Sequence, residues 1–197
     1  MPQGPLTKNT DALALGLAQI RVGASATNIG TFDPVLTVSN SIGALANTKF
    51  TSEKEYWKHE SGFPQLEDKT LPLREKAMLE CTFEEFQPFN MALAMGVDPV
   101  TDSYSETLSG EILLGALAAP SYLRMEAVYT FPDAISTAIV VFPRAQVVST
   151  TEVDFQSEDN VQVPITFESK RADSQITGGD VAWDLAPLGH IVFTAAP

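Results

Sequence analysis

Apolar and polar side chains alternate along most of the chain. This period of two predicts β-strands, because successive side chains of a strand point to opposite faces. In the segment YLRMEAVYTF, Leu123 and Met125 would share one face, with Arg124 and Glu126 on the other. The run AIVVF has no polar position, which favours a strand covered on both faces. The predicted strand segments are 18–24, 39–57, 74–83, 107–117, 122–131, 138–142, 145–155 and 189–194.

The segment Val153–Asp173 is predicted to form a β-hairpin with an acidic tip. Apolar residues alternate with polar ones on both sides of Ser157–Asn160, which has the composition of a turn. Asp154 and Glu168 would then lie on the polar face of the two arms. Those carboxylates are explained by a solvated face and need no catalytic role.

One short helix is predicted, over Pro88–Met95. Pro88 suits the first helical position, where its missing N–H is not needed. Gly96 provides a helix stop, and Phe89 and Leu93 continue an apolar stripe at helical spacing. Two turns of helix need a larger surface to pack on.

Many strands, one short helix and long connections predict a mainly β fold, an antiparallel β-sandwich or barrel with a short flanking α-helix. We expect one domain over residues 1–197, with an N-terminal arm at 1–15 and a C-terminal extension at 174–197. Mixed charge, Gly62 and two prolines indicate a long inter-strand loop at 58–72. A doubled-back loop of that length would reach on the order of 25 Å.

Composition narrows the classes of function. The net charge of −13 argues against binding nucleic acid through its phosphates, which requires a basic surface. A single cysteine, Cys81, excludes an internal disulfide and a cysteine-rich zinc site. Neither a signal peptide nor a long apolar run is recognisable, so we expect a soluble protein of a reducing compartment, or one assembled there.

The sequence contains no strong catalytic or metal-binding motif. His59 and His190 are far apart, and Cys81 lies on the apolar side of a predicted strand, as a buried, unreactive thiol would. A divalent ion at the tip Ser157–Asn160 would need ligands from distant residues. We therefore expect no enzyme activity, no catalytic residue, no cofactor and no metal. The carboxylate pairs Glu53/Glu55, Glu84/Glu85 and Glu158/Asp159 each have a structural explanation.

The order of several segments resembles the tail tube (major tail) proteins of tailed bacteriophages, whose tubes are similar to those of type VI secretion and contractile injection systems. The resemblance covers roughly residues 41–174 and is most specific in the last segment. The segments are HESGFP, LREKAMLECTFEEF, PFNMALAMG, YTFPDAISTAIVVFPRAQV and STTEVDFQSEDNVQVPITFESKRADS.

The resemblance implies a structural virion protein. Six copies would form a ring with a ring-wide β-barrel, and stacked rings would form the tube through which DNA passes without specific binding. Implied partners are copies of the chain itself and the tape measure, terminator and distal tail or baseplate proteins. Implied locations are the virion tail and, during assembly, the host cytoplasm. Candidate lumen-lining residues are Asp154, Glu168, Glu53 and Glu80, and candidate inter-ring or inter-subunit residues are Tyr56, Trp57, Phe63 and Leu66.

Two other classes remain open at this point. A tail terminator, baseplate or secretion-tube protein could have the same fold. A carbohydrate-binding or receptor-binding β-sandwich would present exposed aromatic platforms, whereas Trp57 and Trp183 are far apart in the sequence.

Overall fold

The structure, a computed structural model, describes residues 16, 18–61, 63, 66–97, 111–112, 114, 120–153, 155 and 161–194. In these residues it is mainly antiparallel β-structure with little helix, as predicted. The strands are β1 (Gln19–Ala24), β2 (Leu45–Ser61), β3 (Leu66–Phe83), β4 (Leu123–Thr130), β5 (Thr137–Val147), β6 (Val163–Ser169) and β7 (His190–Thr194). The helices are α1 (Ser25–Asn28) and α2 (Pro88–Ala94), and 3₁₀ turns span Val38–Asn40 and Val181–Trp183.

The seven described strands form one sheet in the order β1-β4-β5-β6-β3-β2, and β7 is a further neighbour of β5. One edge of β5 pairs with β4. Its other edge pairs first with β7, along residues 137–141, and then with β6, along residues 145–147. Residues of β1 and β3, which are far apart in this order, meet in the same buried cluster. The sheet is therefore strongly curved around a common core.

The core is built from the alternating positions that the sequence predicts, including Leu79, Cys81 and Phe83 on β3. On β5 both faces are buried. Phe142 packs in the main core, whereas Val141 packs with Trp183 in a second cluster on the opposite face. This confirms the prediction of a strand covered on both faces.

Helix α2 confirms the predicted helix to within one residue. Pro88 is its first residue, after Gln87 in an extended conformation. Beyond its C-terminus Gly96 has a φ of 77°, a left-handed conformation that glycine adopts without strain. Phe89 and Leu93 are buried, and the helix packs against β6.

The prediction of a long loop at residues 58–72 is wrong. Strands β2 and β3 continue through it, and only residues 62–65 connect them. Mixed charges and prolines are typical of loops, but here the charges pair across the two strands. Pro72 lies beside an irregularity in the strand register, at Glu55/Tyr56. Of the strands that the structure describes, only β2 pairs with β3 there, so proline is tolerated.

The prediction of a hairpin with arms on both sides of Ser157–Asn160 is also wrong. Strand β6 pairs with β3 and with the end of β5, and Val153 and Phe155 belong to no strand. The backbone N–H of Val148 donates to the carbonyl of Thr166, so the pairing of β6 with β5 continues one residue beyond the end of β5. The whole predicted tip, Ser157–Asn160, lies outside the described residues.

The described part of the C-terminal extension 174–197 belongs to the sheet and its cover. The predicted last strand is confirmed as β7, which pairs with β5. Trp183 is fully buried, and its indole N–H donates to the carbonyl of Ile29 at 2.6 Å. This segment therefore covers the second face of β5. The predicted arm at 1–15 lies outside the described residues.

Candidate assembly surface

Strands β2 and β3 extend beyond the core as a two-stranded hairpin. Pairing between β3 and β6 begins only at Met78, opposite Glu168. Outward from there, every described residue of 52–61 and 66–75 is exposed. Ten residues of strand span about 33 Å, so this projecting hairpin, residues 52–75, reaches well beyond the core.

Cross-strand polar pairs hold the projecting hairpin together. The Lys54 ammonium lies 3.3 Å from the Glu75 carboxylate, and Lys58 lies 2.7 Å from Glu67. The hydrogen bond between Lys58 and Glu67 raises the pKa of the lysine and lowers the pKa of the glutamate. Since these groups are exposed, each pair contributes little stability and mainly favours one strand register.

A second polar cluster lies nearer the tip. The carboxylate of Asp68 bonds to His59 Nδ1 at 2.6 Å and accepts a hydrogen bond from the Ser61 hydroxyl at 2.7 Å. These two contacts lower the pKa of Asp68. The hairpin is thus ordered by local contacts between its own strands, without a core beneath it.

Large apolar side chains are exposed along the same hairpin. All four predicted interface residues lie on it, with exposures of 48% for Tyr56, 43% for Trp57, 104% for Phe63 and 66% for Leu66. Leu71 is directly opposite Trp57 in the pairing of the two strands. An isolated two-stranded hairpin is marginally stable in water, and grouped exposed apolar residues mark interaction sites. This surface has the properties of a contact surface for another protein.

Three of the four predicted lumen residues lie on one face of the sheet. Glu53 is opposite Lys76, and Glu168 is opposite Met78. Because Lys76, Met78 and Glu80 are two residues apart on β3, their side chains share a face. The structure thus places Glu53, Glu80 and Glu168 together on the outer face of β2, β3 and β6. The fourth, Asp154, lies outside the described residues.

Basic side chains accompany these acids. Lys49 is 3.3 Å from the Glu80 carboxylate, and Lys170 is 2.7 Å from Glu168. With Lys76 opposite Glu53, the face is a mixed array of both charges rather than a uniformly acidic one. Its cations are close to anions, which leaves them less available to a polyanion.

The described residues offer little for chemistry. Burial raises the pKa of Cys81 to about 12, so its thiol is protonated and unreactive at neutral pH. Those residues hold no group of three or more His, Cys, Asp or Glu placed to bind a metal ion. None of the helices in the same residues is long and apolar enough to cross a membrane.

The largest polar feature that the sequence does not reveal is a buried ion pair on β4. Arg124 and Glu126 are fully buried, with the guanidinium Nε 2.8 Å from the carboxylate. Arg124 also donates to the carbonyls of Asn28, Thr31 and Asp33, and Glu126 accepts from the N–H groups of Val35 and Leu36. This pair fixes the segment 28–36 on the outer face of β4. The only sequence signal is two opposite charges two residues apart in an apolar strand.

No model of a known protein family matches the chain, and no curated protein sequence matches it. Among solved structures, it is similar to the tail of an empty GTA particle determined with C6 helical symmetry, with 12% identity, 90% of this chain and 96% of that chain covered, and a TM-score of 0.44. It is also similar to the PVC sheath-tube complex of an extracellular contractile injection system in the extended state, with 11% identity, 95% of each chain covered and a TM-score of 0.46. Structural similarities with TM-scores this low do not indicate what the chain does.

Proposed function

We propose that this chain is the tail tube subunit of a bacteriophage, a structural protein and not an enzyme. Its copies assemble into stacked hexameric rings around a hollow channel, through which the genome reaches the host cell. The observation that supports this most is the projecting hairpin, which exposes aromatic and aliphatic side chains far from the core. The sequence resemblance to tail tube proteins points to the same function.

A second copy of the chain suits the hairpin better than a small ligand does. Outside the core, β2 and β3 pair only with each other among the described residues, so in that part of the chain the outer edges of both strands carry N–H and C=O groups with no strand partner. Such edges pair readily with another chain. The apolar residues run along two strands of about 33 Å and offer an extended contact rather than a pocket. Pairing between copies would cover the edges and the apolar side chains together.

The channel lining follows from the mixed-charge face. In the proposed tube, Glu53, Glu80, Glu168 and Asp154 face the lumen, where carboxylates repel DNA phosphates. Lys49 and Lys170 are neutralised by their glutamate partners. DNA would therefore meet few free cations and would slide through. The tube would also contact terminator, tape measure and distal tail or baseplate proteins. It would be part of a virion tail that is assembled in the host cytoplasm.

Negative-stain electron microscopy of the purified chain tests this function. We expect hollow tubes, or rings with a central channel, whose abundance rises with protein concentration. A variant that lacks residues 61–69 should keep the core fold by circular dichroism but polymerise poorly. Single rings that do not grow would indicate a tail terminator instead. A monomer at high concentration, with neither rings nor tubes, would contradict the proposal.

A further inference from the structure

Three aromatic rings join three separate segments of the chain at the outer cover of the sheet. His190, the first residue of β7, stacks on Phe32 with ring centroids 4.1 Å apart and an interplanar angle of 21°. The His190 ring also stacks on Trp183, with ring centroids 5.5 Å apart and an interplanar angle of 20°. We call these three residues the aromatic clasp. It connects the segment 28–36, the 3₁₀ turn Val181–Trp183 and strand β7.

The clasp holds a histidine whose ring nitrogens find no hydrogen-bond partner in the part of the chain that the structure describes. Both Nδ1 and Nε2 of His190 are shielded from solvent, and neither is paired with a described residue. A neutral imidazole has one N–H donor and one acceptor nitrogen, whereas the imidazolium has two N–H donors and a positive charge, all of which need partners or water. Protonation therefore costs more in this site than in water. Burial is the main cause that lowers the pKa of His190, and the nearby Arg124 guanidinium lowers it further.

The one carboxylate of β4 near the ring, that of Glu126, is not free to accept a hydrogen bond from a protonated His190. Glu126 favours the protonated ring electrostatically, but its carboxylate already accepts hydrogen bonds from Arg124, Val35 and Leu36 at 2.8–3.0 Å. Asp33, on the loop that Arg124 holds, acts in the same direction as Glu126. It makes no hydrogen bond to either ring nitrogen. A second cation beside Arg124 thus strains a network that is already complete.

We propose that the aromatic clasp is an acid-sensitive latch: protonation of the His190 ring releases strand β7 from the edge of β5 and the Val181–Trp183 turn from the outer face of β4 and β5. The release exposes the β5 edge along residues 137–141, which β7 covers in the closed state. Trp183 leaves the second hydrophobic cluster in the same event. The device depends on the cover of the sheet and is independent of the projecting hairpin.

The direction of the pH effect follows from the lowered pKa. In the released state the histidine binds a proton near its ordinary pKa of 6.5. In the closed state it binds the proton only at lower pH. The latch is therefore fully stable above pH 6.5 and weakens as the pH falls from there toward the lowered value.

Hydrogen exchange on the full chain tests the latch. The protection factors of the β7 amides, which correct for the intrinsic effect of pH on exchange, would be measured at pH 8 and at pH 5.5. We expect a several-fold loss of protection at pH 5.5 in the wild type and none in His190→Phe, which keeps the stacked ring but cannot take a proton. The chain has two histidines, so His59→Gln is the matched control and should behave as the wild type.

An NMR titration of the histidine rings in the wild type gives a second readout that needs no folded variant. We expect the His190 ring to titrate below 6.5, the ordinary pKa of histidine. A midpoint for His190 at or above 6.5 would overturn the proposal, and so would an equal loss of β7 protection in the wild type and in His190→Phe. Neither readout depends on tube formation, so the failure of one proposal is distinguishable from the failure of the other.

Discussion

Two regions of the molecule place charged residues on paired strands, with opposite consequences. On the projecting hairpin, the side chains of Lys54 and Glu75 are each half exposed, so water still solvates part of each charged group. On β4, Arg124 and Glu126 are fully buried. There the desolvation of two charges is offset only because backbone groups of residues 28–36 complete their hydrogen bonds. The exposed pairs therefore tune strand register, whereas the buried pair determines where an irregular segment lies.

The largest effect should come from breaking the buried pair. Arg124→Ala leaves the Glu126 carboxylate buried without its cation and frees three backbone carbonyls, so we expect a loss of about 3–5 kcal/mol in the free energy of unfolding. Urea denaturation followed by circular dichroism measures this. Lys54→Ala on the hairpin is the control and should leave the urea midpoint nearly unchanged. Equal losses in the two variants would remove the distinction between the regions.

The exposed apolar residues should matter for assembly rather than for the fold. Replacing Trp57 and Leu71 together by threonine keeps strand propensity but removes an opposed apolar pair from the hairpin. We expect the subunit's urea midpoint to stay close to that of the wild type. The protein concentration needed for assembly should rise at least about tenfold, equivalent to about 1.4 kcal/mol per contact. Analytical ultracentrifugation measures it.

A matched control for this double variant lies elsewhere on the surface. Val181 and Leu185 are also exposed apolar residues, at 72% and 99%, but they lie on the C-terminal cover. Val181→Thr with Leu185→Thr should leave assembly unchanged. An effect as large as that of the hairpin variant would mean that assembly does not depend specifically on the hairpin.

The smallest effect should come from one exposed pair. The hydrogen bond from Lys58 lowers the pKa of Glu67 below its ordinary value of 4.5. The ion pair therefore stabilises the hairpin fully above pH 4.5, and this stabilisation is lost as the pH falls through the lowered pKa of Glu67. Glu67→Gln should slightly speed amide exchange in the hairpin at pH 7, and the difference from wild type should vanish near pH 2. A difference that persists in acid would argue against the ion pair as its cause.

Much of the fold follows from local pattern. Alternation locates β1, β4 and β7, and Pro88 with Gly96 delimits α2, because these signals depend on neighbours in the sequence. The projecting hairpin could not be predicted from local pattern, because Gly62 and nearby prolines are typical of loops. The pairing that makes this region a pair of strands joins residues of two different segments. Charge partners such as Lys58 and Glu67 become visible only when the register is known.

The candidate site divides in the same way. Tyr56, Trp57, Phe63 and Leu66 are predictable as exposed aromatic and aliphatic residues in a charged segment. Arg124 and Glu126 are predictable only as the outward face of a strand, since what covers them comes from residues about ninety positions earlier and from the C-terminal segment. Burial of that face is a property of the whole chain and not of its local alternation.

The continuity of β3 has a mechanical consequence. This strand runs unbroken over Leu66–Phe83, from the hairpin tip to the buried core beside β6. A load applied at the tip therefore travels along covalent backbone into the centre of the sheet, where it acts in shear across the hydrogen bonds to β6. The tip of the hairpin is thereby linked mechanically to the core through a single continuous strand.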